Sequence, residues 1–345
     1  TGTISAGGGY GSYEGLMFNA SISDRNFFGS GINTTLGFEI SKISTNYNLS
    51  FVNPKVWDSM YSLGLSLYKK EYEYIDYTQD QLGGSLSLGR EFYRYFHASV
   101  GMGYVDNQST INDTNNTLFN DYYFNLYNDQ YKKTSFFASV SFDNTDDFYT
   151  PREGMIAALN LEYGQLDGDD YNATTYPGGY ADILKTSGKV GFYYGLEDWI
   201  DYDLILRLKG RITTIASDED KYLPIAEKLF LGGIGSVRGY NPYSLSPFNI
   251  EGDPYSGLAG GKHRASTSVE ASIPLSEAAK MRLAFFYDYG MIGEDSFNEI
   301  TRSSTGVVVE WQSGFGPINL VFSYPIDEEA YDNTAVFEFS MGSKF

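Results

Sequence analysis

The sequence predicts an all-β fold, a 16-stranded antiparallel transmembrane β-barrel, on three observations. Apolar and polar residues alternate strictly in segment after segment, and no stretch shows convincing helical periodicity. The alternating segments run to about 9–14 residues, the length a tilted strand needs to cross a bilayer. The connections alternate between short and long, as expected when hairpins reverse between two unlike rims.

Sixteen candidate strands follow in order: 3–11, 15–24, 32–42, 45–53, 59–72, 78–91, 95–107, 133–144, 153–164, 182–196, 202–216, 262–274, 280–291, 303–313, 316–326 and 333–345. The first is crowded with Gly7, Gly8, Gly9 and Gly11. Each removes a packing side chain, so this strand is expected to be weak, bent or closely approached by backbone. In 204–212, Leu204, Leu206, Leu208 and Ile212 oppose Ile205, Arg207, Lys209 and Arg211. In 264–273, Ala265, Thr267, Val269, Ala271 and Ile273 oppose Arg264, Ser266, Ser268, Glu270 and Ser272. In 281–289, Met281, Leu283, Phe285, Tyr287 and Tyr289 oppose Arg282, Ala284, Phe286 and Asp288. In the last, Ala335, Phe337, Phe339, Met341 and Phe345 oppose Val336, Glu338, Ser340, Gly342 and Lys344. One apolar and one polar face per strand, with aromatic tips, suits a lipid-facing wall around a polar lumen. A soluble sandwich also alternates, but its strands average only five or six residues.

Composition agrees. The chain has 345 residues, a mean hydropathy of −0.31 and 17% aromatics, including Tyr 31 and Phe 24. No run of 18 apolar residues exists, which excludes a transmembrane helix but not a barrel. Absence of cysteine rules out disulfides and thiolate metal sites. The net charge of −20 argues against nucleic acid as a partner. No basic segment followed by an apolar one opens the chain, so no signal peptide is expected. Short connections (Pro54–Asp58, Phe92–Arg94, Glu197–Asp201, Leu275–Ala279) alternate with a set that includes 108–132, 165–181 and 217–261.

The longest of these, 217–261, carries Phe230-Leu231-Gly232-Gly233-Ile234-Gly235-Ser236-Val237-Arg238-Gly239-Tyr240. A long loop in a compact domain needs a reason to exist. Taken alone, Arg238 would read as a solvated loop residue. The alternation changes that, because Glu270 and Asp288 both fall on the lumen face of neighbouring strands.

These residues resemble the BamA family, the central barrel of the outer-membrane protein assembly machinery. Val237-Arg238-Gly239-Tyr240, with its lead-in Phe230, Gly232 and Gly233, resembles that family's sixth-extracellular-loop signature. Ser268-Val269-Glu270 resembles the twelfth-strand motif, and Phe286-Tyr287-Asp288-Tyr289-Gly290 the thirteenth. Gly314-Phe315-Gly316-Pro317 with Phe322-Ser323-Tyr324 resembles the next turn and strand. Asp24-Arg25-Asn26-Phe27-Phe28-Gly29-Ser30-Gly31, Asn53-Pro54 and Phe148-Tyr149-Thr150-Pro151-Arg152-Glu153-Gly154 resemble periplasmic turns. Seven motifs in one order over the whole chain are specific where one tetrapeptide would not be. Family members carry periplasmic POTRA modules before the barrel. Since this chain opens at its first strand, residues 1–345 are expected to be a single barrel domain without them.

The resemblance implies an outer-membrane insertase that folds client β-barrels through a weak seam between the first and last strands. Its partners would be client outer-membrane proteins, the bilayer with lipopolysaccharide, and lipoproteins reached through the POTRA region. It implies that the loop folds into the lumen and that Arg238 binds Glu270 and Asp288, a latch suited to a planar guanidinium. The seam would comprise Gly7, Gly8, Gly9 and Gly11 against Phe337, Phe339, Met341, Gly342 and Phe345, the last strand also resembling an insertion signal. Autotransporter-assembly and protein-secretion barrels share the loop signature and are the first alternative. A passive porin is the second, but its pore-narrowing third loop has no counterpart in the short connection near 73–77.

Enzyme readings fare poorly. The two histidines, His97 and His263, assemble no Ser-His-Asp order and no metal pair, and no cofactor is expected. Acidic clusters at Asp143, Asp146 and Asp147, and at Asp167, Asp169 and Asp170, are expected to be turn acids more than Ca²⁺ ligands. Asn115 and Asn172 each follow an acid by two positions, a pattern some bacteria glycosylate, though solvated loop asparagines are the simpler reading.

Overall fold

The structure, a computed structural model, describes residues 2–112, 126–147, 150–168, 178–313 and 316–341. Its strands are β1 (Gly2–Gly11), β2 (Gly15–Asp24), β3 (Asn33–Ile40), β4 (Ser44–Asn53), β5 (Tyr61–Glu73) and β6 (Tyr77–Tyr93). Then come β7 (Phe96–Ile111), β8 (Asp129–Asp143), β9 (Gly154–Asp167), β10 (Ile183–Gly195) and β11 (Ile205–Ser217). A small hairpin, β12 (Phe248–Ile250) and β13 (Asp253–Leu258), precedes β14 (His263–Ser276), β15 (Met281–Gly293), β16 (Ile300–Ser313), β17 (Gly316–Pro325) and β18 (Phe337–Met341).

All but β12 and β13 form one 16-stranded antiparallel sheet in chain order, curled into a nearly closed barrel. The alternation sets its two faces. Phe285 and Tyr287 stand on the outer face, half exposed, while Phe286 and Asp288 are buried inside. Ile212 is on the outside next to Arg211, whose neighbour in the ladder is Lys189. The outer face is a band of Leu, Val, Phe and Tyr, as a bilayer requires. At the rim of short turns, Phe28 and Trp57 are each the central residue of a 3₁₀ turn at left-handed φ (49° and 50°), fully displayed to the outside.

Three elements differ from the alternation. β6, β7 and β8 run past their expected ends, with Gln108↔Gln130 and Ser109↔Asp129 still paired. Polar side chains end the apolar pattern there, but backbone pairing continues beyond the bilayer, where water tolerates them. Gln79 donates to Asn107 at 2.8 Å next to this extension. The hairpin β12–β13 lies within the long connection and carries no alternation of its own. The last strand starts at Phe337, not at 333 as expected, and Val336 is exposed instead of facing the lumen. Residues 333–335 pair with the long loop: Asn241 N–H donates to Asn333 O at 2.8 Å and Ala335 N–H to Gly239 O at 2.9 Å.

The outer face tolerates apolar groups alone at mid-height, so Ile212→Arg should lower stability by about 2–4 kcal/mol. Urea unfolding in phospholipid vesicles measures this; an unchanged midpoint would mean that the face does not contact lipid.

Candidate functional site

The connection from β11 to β14, residues 218–262 (loop 6), turns into the lumen. Leu229, Leu231, Val237, Tyr240 and Leu245 pack there against Tyr131, Ile183, Ile215 and Ile292 of the wall. Ile225, Phe230 and Leu258 fill a second cluster with Tyr77, Ile111 and Tyr127. Glycines give the loop its path. Gly232 sits at φ 114°, where an added Cβ would lie 2.4 Å from Asn241 O. The turn it makes lets Gly233 N–H reach the carbonyls of Val237 and Tyr240. On the wall, a Cβ at Gly290 would come within 2.3 Å of Val237. The glycine that ends Phe286–Gly290 is thus the seat of the loop.

That path delivers Arg238 to the two carboxylates. Its Nε donates to Asp288 Oδ2 at 2.7 Å and its Nη2 to Asp288 Oδ1 at 2.7 Å, a bidentate pair. Its backbone N–H adds a third bond to Asp288 at 3.0 Å. Nη2 also lies 2.9 Å from Glu270 Oε1 and 2.8 Å from Ser268 Oγ. The guanidinium stands 3.7 Å over the Phe286 ring. Asp288 and Glu270 are 1% and 3% exposed. Glu270 in turn meets Lys209 and Arg207, each at 3.3 Å, and Arg207 reaches Glu310 Oε2 at 2.9 Å. Asp288, Glu270 and Glu310 thus alternate with Arg238, Lys209 and Arg207 along the lumen face. Tyr240 is fully buried, and its hydroxyl lies 3.3 Å from Ser303 O and from Asp327 Oδ1.

The seam residues are brought to the two ends of the sheet. β1 holds Gly7, Gly8, Gly9 and Gly11 in an unbroken ladder with β2, from Gly2↔Asp24 to Gly11↔Gly15, so the glycines make no bulge. β18 places Phe337, Phe339 and Met341 against β17, pairing among the described residues from Phe322↔Phe337 to Ile318↔Met341. Among the described residues no ladder joins β1 to β18. The edges approach where a Cβ on Gly11 would lie 3.4 Å from Phe339 O. Gly342 and Phe345 lie outside the described residues, as do Asn115, Asn172, Asp169, Asp170 and the Phe148-Tyr149 and Gly314-Phe315 parts of two motifs.

A latched sixth loop inside an incompletely closed 16-stranded barrel is a specific combination, and the comparisons agree with it. The Omp85 superfamily domain matches residues 26–345. The chain belongs to the Omp85 superfamily. Outer membrane protein assembly factor BamA of Nitratidesulfovibrio vulgaris is 26% identical over the whole chain, and that of Neisseria meningitidis 24%. The chain spans 42% and 47% of their lengths. In structure, BamA from Haemophilus ducreyi lacking POTRA domains 1–3 has TM-score 0.82 at 22% identity, covering 98% of this chain and 69% of that one. CdiB from Acinetobacter baumannii has TM-score 0.61 at 14% identity, covering 98% and 57%. These likenesses concern the fold.

The Omp85 barrel also holds a site that sequence reasoning missed. Glu227, in a 3₁₀ turn of loop 6, is 4% exposed. It accepts from Tyr131 Oη at 2.8 Å and lies 3.1 Å from Lys133 Nζ, both on β8, with Lys185 of β10 at 3.9 Å. Burial alone would push its carboxyl up, but Lys133, Lys185 and the two hydrogen bonds outweigh that and hold it below the ordinary range. The available signal was Lys133 on an alternating strand; Glu162 of the neighbouring β9 meets it at 3.0 Å, and nothing in the strand pattern pointed to a second carboxylate from the loop. Asp143, Asp146 and Asp147 accept backbone N–H groups of Thr145, Arg152, Glu153 and Thr150, and so cap a turn. His263 hydrogen-bonds Thr214 Oγ1 at 2.7 Å.

Two predictions follow from this geometry. Arg238→Ala should lower stability by about 3–5 kcal/mol, because it strands Asp288 without a counter-charge. Asp288→Ala should be comparable, and a double-mutant cycle on heat-modifiable gel mobility should be strongly non-additive; simple additivity would mean the groups do not interact. Glu227 has a lowered folded pKa, so its contribution is present above the unfolded carboxylate value of about 4.3 and is lost as pH falls through the folded one. Thermal stability should therefore drop along an acid limb beginning near pH 4. Glu227→Gln should flatten that limb, and an identical acid profile would dismiss the assignment.

Proposed function

We propose that this chain is the membrane barrel of an outer-membrane protein assembly factor, and that it inserts client β-barrels at the seam between β1 and β18. The barrel resides in the bacterial outer membrane. The observation that carries the reading is the pair of sheet edges that no closing ladder joins among the described residues. An unpaired edge is a template: its N–H and C=O groups take up an extended segment of almost any sequence. That suits a machine with many clients. A hairpin entering lipid must satisfy its backbone, and pairing with β1 does so as it enters. In β1 the glycines supply no side chain that would select among clients.

The whole protein's partners belong to the same proposal. Clients would meet the seam; lipid and lipopolysaccharide would surround the band; lipoproteins would be engaged through segments beyond this barrel. On this reading the chain works as a template, since pairing a client strand exchanges hydrogen bonds alone. A secretion barrel of the CdiB kind is the second reading, supported by the shared superfamily, though the structural likeness is smaller. A passive porin is disfavoured because loop 6 occupies the lumen with a packed core.

A cysteine lock tests the seam, and the cysteine-free chain makes it unambiguous. Gly11→Cys with Phe339→Cys joins the edges where they approach, provided that the Cα atoms lie within about 7 Å. In the full-length protein, oxidation should abolish insertion of a model client barrel and reduction should restore it. Undiminished insertion with the seam demonstrably cross-linked would end the reading.

A further inference from the structure

A strand with a free edge must be held by something other than the missing ladder. Among the described residues, β18 pairs with β17 from Phe337 to Met341 and no ladder joins it to β1. The segment that leads into it does have one. Tyr240 bridges Thr334 in antiparallel fashion, and the flanking bonds Asn241 N–H to Asn333 O and Ala335 N–H to Gly239 O complete a short ladder. The loop signature therefore grips the entry to the gate strand with its backbone, while its arginine grips β14 and β15 with its side chain.

The other end of the same loop is fixed across the lumen. Glu227 binds Tyr131 and Lys133 on β8 and approaches Lys185 on β10. In the order of the sheet, β8 is the eighth strand and β18 the sixteenth, so the two attachments are half a circumference apart. Between them the loop is packed into one core with the wall, which makes it stiff enough to carry a constraint from one attachment to the other. The two anchors have opposite polarity: an acid of the loop meets bases of the wall at Glu227, and a base of the loop meets acids of the wall at Arg238.

We propose that loop 6 is a transverse strut that holds the free strand β18 to the opposite wall, with Glu227 as the positioning residue at its fixed end and the Gly239–Asn241 ladder as its grip on the moving end. The strut replaces the closing ladder as the restraint on β18, and so sets how readily the seam opens. This rests on the seam reading proposed above. Glu227 acts through the loop and touches no client.

The test uses full-length protein in phospholipid vesicles, with amide hydrogen exchange read strand by strand. Glu227→Gln keeps the size and the Tyr131 bond but removes the charge that Lys133 and Lys185 face. Exchange in β17 and β18 should quicken at least about tenfold, the loss expected for one charged hydrogen bond, while β2 to β5 stay unchanged. A merely structural role would quicken exchange throughout. Asn241→Cys with Asn333→Cys locks the grip; oxidised, it should slow exchange in β18 and cut client insertion, and reduction should reverse both. Uniform or absent change in Glu227→Gln overturns the strut. So does full insertion with the loop lock oxidised, provided that the Gly11–Phe339 lock blocks insertion. If that seam lock itself leaves insertion intact, the seam reading fails instead. Should Glu227→Gln not fold, the loop lock decides alone.

Discussion

Arg238 can lie in the lumen only because two carboxylates on neighbouring strands meet it there. An isolated guanidinium taken out of water loses far more solvation than packing returns, so without Asp288 and Glu270 the loop would stay outside. With them, the rest follows. Val237 drops onto Gly290, Tyr240 is buried beside Ser303, and residues 239–241 are brought against 333–335. The plug of the barrel and the grip on its last strand both depend on one charge finding its partners.

The pair is not isolated, and this matters for what it can withstand. Glu270 is shared with Lys209 and Arg207; Arg207 continues to Glu310 and, through Nη2 at 3.1 Å, to Ser272 Oγ. Ser272 also accepts from Arg282, which reaches Asp203 on the short-turn rim, where Arg152 and Glu197 follow. Paired charge thus runs from the buried loop signature along the lumen face to the exposed rim of short turns. Asp203 shows the same opposition as Glu227: burial pushes its carboxyl up, but Arg282 and Arg152 bring it below the ordinary range. Each link is acceptable in a low-dielectric lumen because the next one neutralises it.

Much of this was legible in the sequence, for reasons that are local. A period of two assigns each side chain to lipid or lumen, so Glu270 and Asp288 could be placed on one face without knowing any distance. Arg238 itself was reached through the resemblance of the loop signature to a known family, which implied that it binds both carboxylates. What was not legible needed the third dimension. Glu227 has no periodic context, and its partners stand on β8 and β10, more than forty positions away in the chain. The onset of β18 was misjudged because Thr334 and Ala335 read as a continuing strand, and indeed pair as one, but with the loop instead of with β17. Alternation reports that a residue is extended; it does not report which neighbour it meets.

The open edge sets the final constraint. In the hydrocarbon layer each unpaired backbone group is costly, so a barrel that stood widely open there would be driven to close or to take up a strand. In β1 the glycines offer little side-chain packing to favour closing, and the segment entering β18 is already tied to the loop. The tendency to pair with something is therefore strong, while the preference for pairing these two strands with each other is weak. On the function proposed above, an incoming client strand would supply the same backbone bonds together with side chains of its own, which would give the exchange its direction. Restraint then has to come from outside the ladder, and loop 6 is the element of this structure placed to provide it.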